Sequence, residues 1–256
     1  MKTLLRYDLL YMKRTTKIII MLAVGAFIAF LSILTARYMN ELMAMAFEQE
    51  GIEGITLPDP TVEDAYIQFY SNMQQIFFLV YLFIAGAFFS RDFTKGTDHW
   101  MFARPVSKFK YLMSRTLVVH ALGVVSLLTA GVFFLYGSYF LFPEVDTLRF
   151  LASLVVFYVF VLFFTQMLLA LVTLFGRMLW PMLITIAMLF VLGIFSGIEA
   201  GAFKYIPSRL GNYAMELLLH EATIREVTIA AGIGLLSAAL FTVLSVLLLN
   251  KQCYTK

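Results

Sequence analysis

"FFSRDFTKGTDHWMFARPVSKFKYLMSR", residues 88–115, is the one long charged and turn-rich passage set between two strongly apolar runs of the chain. It holds Arg91, Lys95, Arg104, Lys108, Lys110 and Arg115, the acids Asp92 and Asp98, a Gly-Thr and an Arg-Pro. What surrounds it decides the fold class. Of the 256 residues, 61% are hydrophobic and 14% charged, and the mean hydropathy is +0.87, far from the averages of a soluble domain. A bilayer core about 30 Å thick requires roughly 20 apolar residues of helix. Six such runs are present: Lys17 to Ala36, Gln74 to Ser90, Thr116 to Leu141, Phe150 to Phe175, Met178 to Gly197 and Thr228 to Leu249. They are continuous and do not alternate apolar with polar, which selects helices over a barrel. The expectation is an all-α integral membrane protein with six transmembrane helices in one domain, residues 17–249, preceded by residues 1–16 and followed by a tail, 250–256.

The charged residues fall outside the spans or at their ends, so no intramembrane carboxylate relay is expected. Lys and Arg then set the orientation. Lys2, Arg6, Lys13, Arg14 and Lys17 precede the first span, and the six cations of 91–115 join the second to the third. Arg177, Lys251 and Lys256 complete 14 of the 19 basic residues on one side. That side is assigned to the cytoplasm, with both termini. The outer loops, 37–73 and 198–227, are acidic instead. The first span has no A-x-A site and full membrane length, so it should remain in the mature protein. The single cysteine, Cys253, permits no disulfide within the chain.

"MKTLLRYDLLYMKR" fits a cytoplasmic interfacial helix, with Lys2, Arg6 and Lys13 on one arc and Leu4, Tyr7 and Tyr11 on another, interrupted by Asp8. Within 91–115, Gly96 supplies a turn, Thr97 an N-cap, and Asp98 an acid in the first turn of a short helix. That helix ends by Ala103, because Arg104 precedes Pro105. Ser107 can cap the next helix from Lys108. Trp100, Met101 and Phe102 are thereby placed on a cytoplasmic loop, where they fill either a partner's groove or a space on their own bundle.

The order of Asp92, Gly96-Thr97, an apolar short helix carrying Trp100, Met101 and Phe102, then Arg104-Pro105-Val106-Ser107-Lys108 resembles the loop between spans two and three of the ABC type-2 permease family. His99 and Trp100 depart from its usual acidic or aliphatic residues. The wider likeness covers nearly the whole chain: N-terminal amphipathic segment, six spans, both ends inside and no fused ATPase. The resemblance implies that the short helix is a coupling helix docking on a separate ATP-binding subunit. Two copies of that subunit would join two permease protomers, identical or homologous, and ATP and magnesium would sit on the partner. The chain lacks G-x-x-x-x-G-K-[ST], so no cofactor is expected on it. The implied function is a multi-pass permease of the bacterial plasma membrane that forms half of an export path. Membrane lipids are its other partners, and no nucleic acid is expected.

For cargo contacts, the uncommon polar residues near apolar spans are Ser32, Thr35, Gln74, Gln75, Tyr81 and Gln166, each of which could instead pair helices. With 26 Phe and 14 Met, the chain is expected to offer an adaptable apolar surface to amphipathic cargo such as peptides, antibiotics or lipids, although lipid contact accounts for much of that content too. Two rival classes stand beside this one, a non-transporting regulatory or sensory subunit and a membrane-embedded enzyme. Neither H-E-x-x-H nor G-x-S-x-G is present, and no catalytic or metal-binding residue is assigned. "HEATIRE", 220–226, is expected to form i, i+4 surface pairs, and His120 to serve helix packing.

The topology is testable by cysteine labelling in a Cys253→Ser background. Cysteines at Glu50 and Glu221 should react with an impermeant thiol reagent from outside, and those at Lys2 and Lys95 only after permeabilisation.

Overall fold

A backbone group in hydrocarbon has no water to bond, so each apolar run must satisfy its own amides. The computed structural model describes residues 1–49, 59–97, 102, 106–142, 145–197 and 201–252, and no strand occurs among them. Helix α1 (Lys2–Arg14) turns at Thr16, a non-glycine residue with φ of 54°, into α2 (Lys17–Gln49). Next come α3 (Val62–Asn72), a π-helical turn (Met73–Phe77) and α4 (Phe78–Lys95), which together form one unbroken span. Helices α5 (Lys108–Leu141), α6 (Thr147–Phe175) and α7 (Leu179–Ser196) follow. Two 3-10 turns, Gly201–Tyr205 and Pro207–Arg209, lead to α8 (Leu210–Glu216), and α9 (Ile224–Gln252) ends the described chain. Six of these segments are long and apolar enough to cross a membrane, so the chain is a multi-pass helical membrane protein.

The segment 37–73, expected as an outer loop, is largely helical where it is described. Glu, Leu, Met and Ala after Arg37 favour helix, and α2 runs on to Gln49. Thr61 and Asp64 then form a reciprocal capping box: the Thr61 backbone N–H donates to Asp64 at 2.9 Å, and Thr61 Oγ1 accepts the Asp64 N–H at 3.4 Å. The second span therefore begins at Val62 rather than Gln74. Segment 198–227 is likewise more than a surface loop where it is described. Leu210, Gly211, Tyr213 and Ala214 of α8 are buried, and α8 packs against α6 and α3.

Helix α6 is the centre of the bundle, with 72% of its most apolar window buried against 22% for α7 and for α9. Much of the phenylalanine content is spent there. Phe69 meets Phe134 at 4.5 Å between ring centroids, Phe134 stacks on Phe150, and Phe78 approaches Phe160 at 4.8 Å. Tyr70 and Ser153 join their hydroxyls at 2.5 Å inside this aromatic column. These rings pack the spans against one another.

The π turn has a reason in the sequence. Phe69, Met73, Phe77, Tyr81, Ala85 and Phe89 are all buried and recur every four residues. In a helix of 3.6 residues per turn, such a stripe slides about 40° around the axis at each step. One wide turn takes up an extra residue and returns the stripe to the core.

Helices α2 and α5 approach through small residues, since hydrocarbon offers no hydrophobic drive to pair helices and close van der Waals contact must do it. A Cβ on Gly25 would lie 3.0 Å from the Ser126 carbonyl oxygen and 3.4 Å from Ala130 Cβ. The first of these is backbone and cannot yield. Gly25→Val should therefore cost about 1–3 kcal/mol, seen as a lower melting temperature in detergent, whereas Gly232→Val, which meets nothing within 4 Å, should change little.

Candidate functional site

The two ends of the 91–115 passage are fixed by charge. Asp8 from α1, Arg91 and Asp92 from α4, and Arg115 from α5 are each at most 5% exposed. Arg91 Nη2 donates to Asp8 Oδ1 at 2.9 Å, and its Nε to Asp92 Oδ1 at 3.0 Å. Arg115 Nη2 pairs with Asp92 Oδ2, while its Nη1 donates to the Phe89 carbonyl at 3.0 Å. Ser114 donates to Asp8 Oδ2 at 2.8 Å, and Tyr111 to Asp92 Oδ2 at 3.2 Å. Two acids and two guanidinium groups leave the cluster neutral. Burying an isolated charge would be prohibitive, so mutual pairing is the condition for their being there.

Aromatic faces complete the shell. The Arg91 guanidinium lies 4.1 Å from the Tyr11 ring centroid and 5.0 Å from Tyr7 and from Phe88, and Arg115 lies 4.4 Å from Tyr111. Asp8 is accordingly no flaw in the apolar side of α1. It is the residue that docks α1 on α4 and α5.

Beyond this anchor, Gly96 caps α4 in the left-handed region, φ 66°, with its N–H directed back to the Asp92 and Phe93 carbonyls. The expected turn is there. Thr97 is itself helical rather than a preceding cap, and its hydroxyl lies 3.5 Å from the Asp92 carbonyl oxygen. Phe102 is helical and half-buried, edge-on to the Tyr111 ring at 5.2 Å, so part of its surface is used on the bundle. Ser107 occupies the N-cap position of α5 without a side-chain cap bond. Lys108 Nζ lies 3.5 Å from the Asn250 carbonyl oxygen at the end of α9. Trp100, Met101, Arg104 and Pro105 lie outside the described residues.

Residues considered for a cargo path divide into two groups. Ser32 donates to the Ile28 carbonyl at 2.7 Å and accepts from Asn72 Nδ2 at 2.9 Å. Tyr81 is buried against Gly123 and donates to the Val119 carbonyl at 3.2 Å. Gln166 bonds His120 Nε2 at 2.6 Å and accepts from Thr242 at 3.1 Å. These three join helices, as does His120; Thr35 is half-buried and not gathered with the others.

Gln74 and Gln75 are different. Both sit in the π turn and line a cavity of about 420 Å³ with Asn212 and Ser208 of the 201–216 segment and Ser196 of α7. A Cβ on Gly211 would fall 2.8 Å from Gln74 Oε1, so glycine there admits the carboxamide against α8. Among the described residues, the carboxamides of Gln74, Gln75 and Asn212 have no hydrogen-bond partner, whereas Ser208 donates to the Leu192 carbonyl at 3.0 Å. Below them, Tyr213 donates to the Lys204 carbonyl at 2.8 Å, and burial raises its pKa, so it stays a neutral donor.

A second cavity, about 480 Å³ and largely apolar, lies between the ends of α6 and α9 beside Arg149 and His220. Here the "HEATIRE" residues pair outside their own segment: His220, at φ 62°, contacts Arg149, and Glu226 accepts from Lys204 at 3.1 Å. Among the described residues no group of three His, Cys, Asp or Glu could hold a metal ion.

Comparison with protein-family models and with curated proteins gives no match. The site must therefore be read from its own geometry.

Asp8→Ala should leave Arg91 buried with half its pairing and cost about 3–5 kcal/mol. Thermal unfolding would register the loss, and trypsin should then cut within residues 1–17. Asp8→Ala combined with Arg91→Met should recover much of the stability, because the stranded charge is removed with its partner.

Proposed function

We propose that the chain is the permease subunit of an ATP-driven exporter of the ABC type-2 kind. It would be inserted with both termini and the 91–115 passage in the cytoplasm, and would form half of a translocation path with a second protomer. The observation that carries this reading is the anchoring of that passage. Both of its ends, Asp92 and Arg115, are tied by buried ion pairs to each other, and Arg91 ties them to α1. A loop that receives force from an ATPase can move transmembrane helices only if it does not slip against them, and charge pairing in a dry site resists slip. The left-handed turn at Gly96 redirects the chain immediately beyond the anchor. Trp100, Met101, Arg104 and Pro105 are assigned to contact with the ATP-binding subunit, and Phe102 to holding that contact against Tyr111.

Cargo is assigned to the cavity at the π turn. Three unpartnered carboxamides beside Phe160, Leu189 and Phe190 suit a neutral or zwitterionic amphipath with hydrogen-bonding groups, such as a peptide or antibiotic, more than a small ion. ATP and magnesium belong to the partner, two copies per pair of permeases.

The test is co-purification. The isolated chain should bind no ATP and should be recovered as a pair of permeases with two ATPase subunits. Trp100→Ala with Arg104→Ala should weaken that assembly by roughly thirtyfold or more, as loss of an interface anchor of about 2 kcal/mol does, with the melting temperature of the permease unchanged. Phe102→Ala should lower the melting temperature as well. ATP binding by the pure chain, or normal assembly of the double variant, would overturn the proposal.

A further inference from the structure

The surface of α1 that faces away from the bundle carries a second message, and it stands independently of the exporter reading. At about 100° per residue, the helix divides into three faces. Leu5, Asp8 and Met12 turn inward, with Asp8 and Met12 buried. Tyr7 and Tyr11 lie against Arg91. The remaining face carries Lys2, Arg6, Leu9, Leu10 and Lys13, which border a shallow groove of about 350 Å³ with Leu5. Leu9 is 46% and Leu10 44% exposed, and Lys2, Arg6 and Lys13 are exposed too.

The charge balance of this face is set by the buried network. Asp8 is the only acid in α1, and its two oxygens are taken by Arg91 and Ser114. No described acidic side chain pairs with Lys2, Arg6 or Lys13. What remains outside is purely cationic, with leucines between the charges, on a helix that leads directly into a transmembrane span. Basic residues beside an apolar stripe match the boundary between headgroup phosphates and acyl chains. A soluble acidic protein would satisfy the lysines and leave the leucines unexplained.

We propose that the exposed face of α1 is a binding surface for anionic phospholipid headgroups, with Lys2, Arg6 and Lys13 meeting phosphates and Leu9 and Leu10 entering the acyl boundary. Because Asp8 and the two tyrosines grip Arg91 from the same helix, lipid held by α1 bears on the end of α4.

The test uses the full chain in nanodiscs, with Cys253→Ser and a fluorophore on Leu10→Cys. Quencher-bearing phosphatidylglycerol and quencher-bearing phosphatidylcholine are compared at equal mole fraction. Each basic side chain near an anionic surface enriches its lipid roughly fivefold at low salt, so phosphatidylglycerol should quench several-fold more strongly. Lys2→Gln, Arg6→Gln and Lys13→Gln together should abolish the difference with the melting temperature unchanged, and high salt should shrink it. Equal quenching by the two lipids, a preference that survives in the triple variant, or no quenching by either because a protein covers the face, would each overturn the proposal.

Discussion

Charge pairing in a dry site is the constraint from which the basic end of this molecule is built. Asp8, Arg91, Asp92 and Arg115 come from three helices, and none could remain buried without the others. Their alternation, acid to base to acid to base, makes each carboxylate a bridge and each guanidinium a branch. Helix α1, which has too few buried apolar residues to dock firmly by itself, is held by one carboxylate and two tyrosines. The price of desolvating four ions is offset within the group, and what is gained is position: the middle of α1, the end of α4 and the start of α5 share one reference point.

The other end of the bundle is held by different means. There, rings from α3, α5 and α6 stack around Phe150, and the 201–216 segment folds back beneath the ends of the spans. The side chains that line the cavity at the π turn sit between these regimes, with aromatic packing on one side and a glycine-admitted short helix on the other. Gln74 and Asn212 are half-buried and Gln75 is exposed in this recess, so their carboxamides stay open to bonding from water or a ligand.

The six spans were legible because apolar length is a one-dimensional signal. Lys17, Leu141, Phe175 and Ser196 lie at or within one residue of where such a count puts the ends of their spans. Helix extension beyond the membrane was not legible in the same way. Hydropathy falls at Arg37 although helix propensity does not, and α2 continues to Gln49. Of the site, Gly96 was readable from its backbone freedom and occupies the left-handed turn. Thr97 was misplaced by one position, since a helix start read from side-chain chemistry is uncertain by about that much. Arg91 and Arg115 read as topology markers and Asp8 as an interruption of an apolar arc, not as one cluster, because their pairing spans 83 and 23 residues of chain. The available hint was local: a lone acid on the apolar side of a basic helix needs a buried partner. Gln74 and Gln75 were noticed for their polarity, but nothing local distinguished them from Ser32 or Gln166, which bond across helices. The distinction is made by the wide turn, which depends on how the whole stripe from Phe69 to Phe89 meets the core.

That wide turn also bears on how the second span can change over generations. Elsewhere in a packed helix, loss of one residue swings every later side chain by about 100° and ruins the buried face. Within Met73–Phe77 the same loss would be absorbed by tightening the loose turn into an ordinary one, leaving the rest of the stripe nearer its place than any other single deletion could. The span thus has one position at which its length is negotiable, and that position coincides with the two carboxamides facing the cavity. A lineage could redirect what lines that cavity by gaining or losing a residue while retaining the aromatic column, so the reshaping of this recess would be written in chain length as well as in side-chain identity.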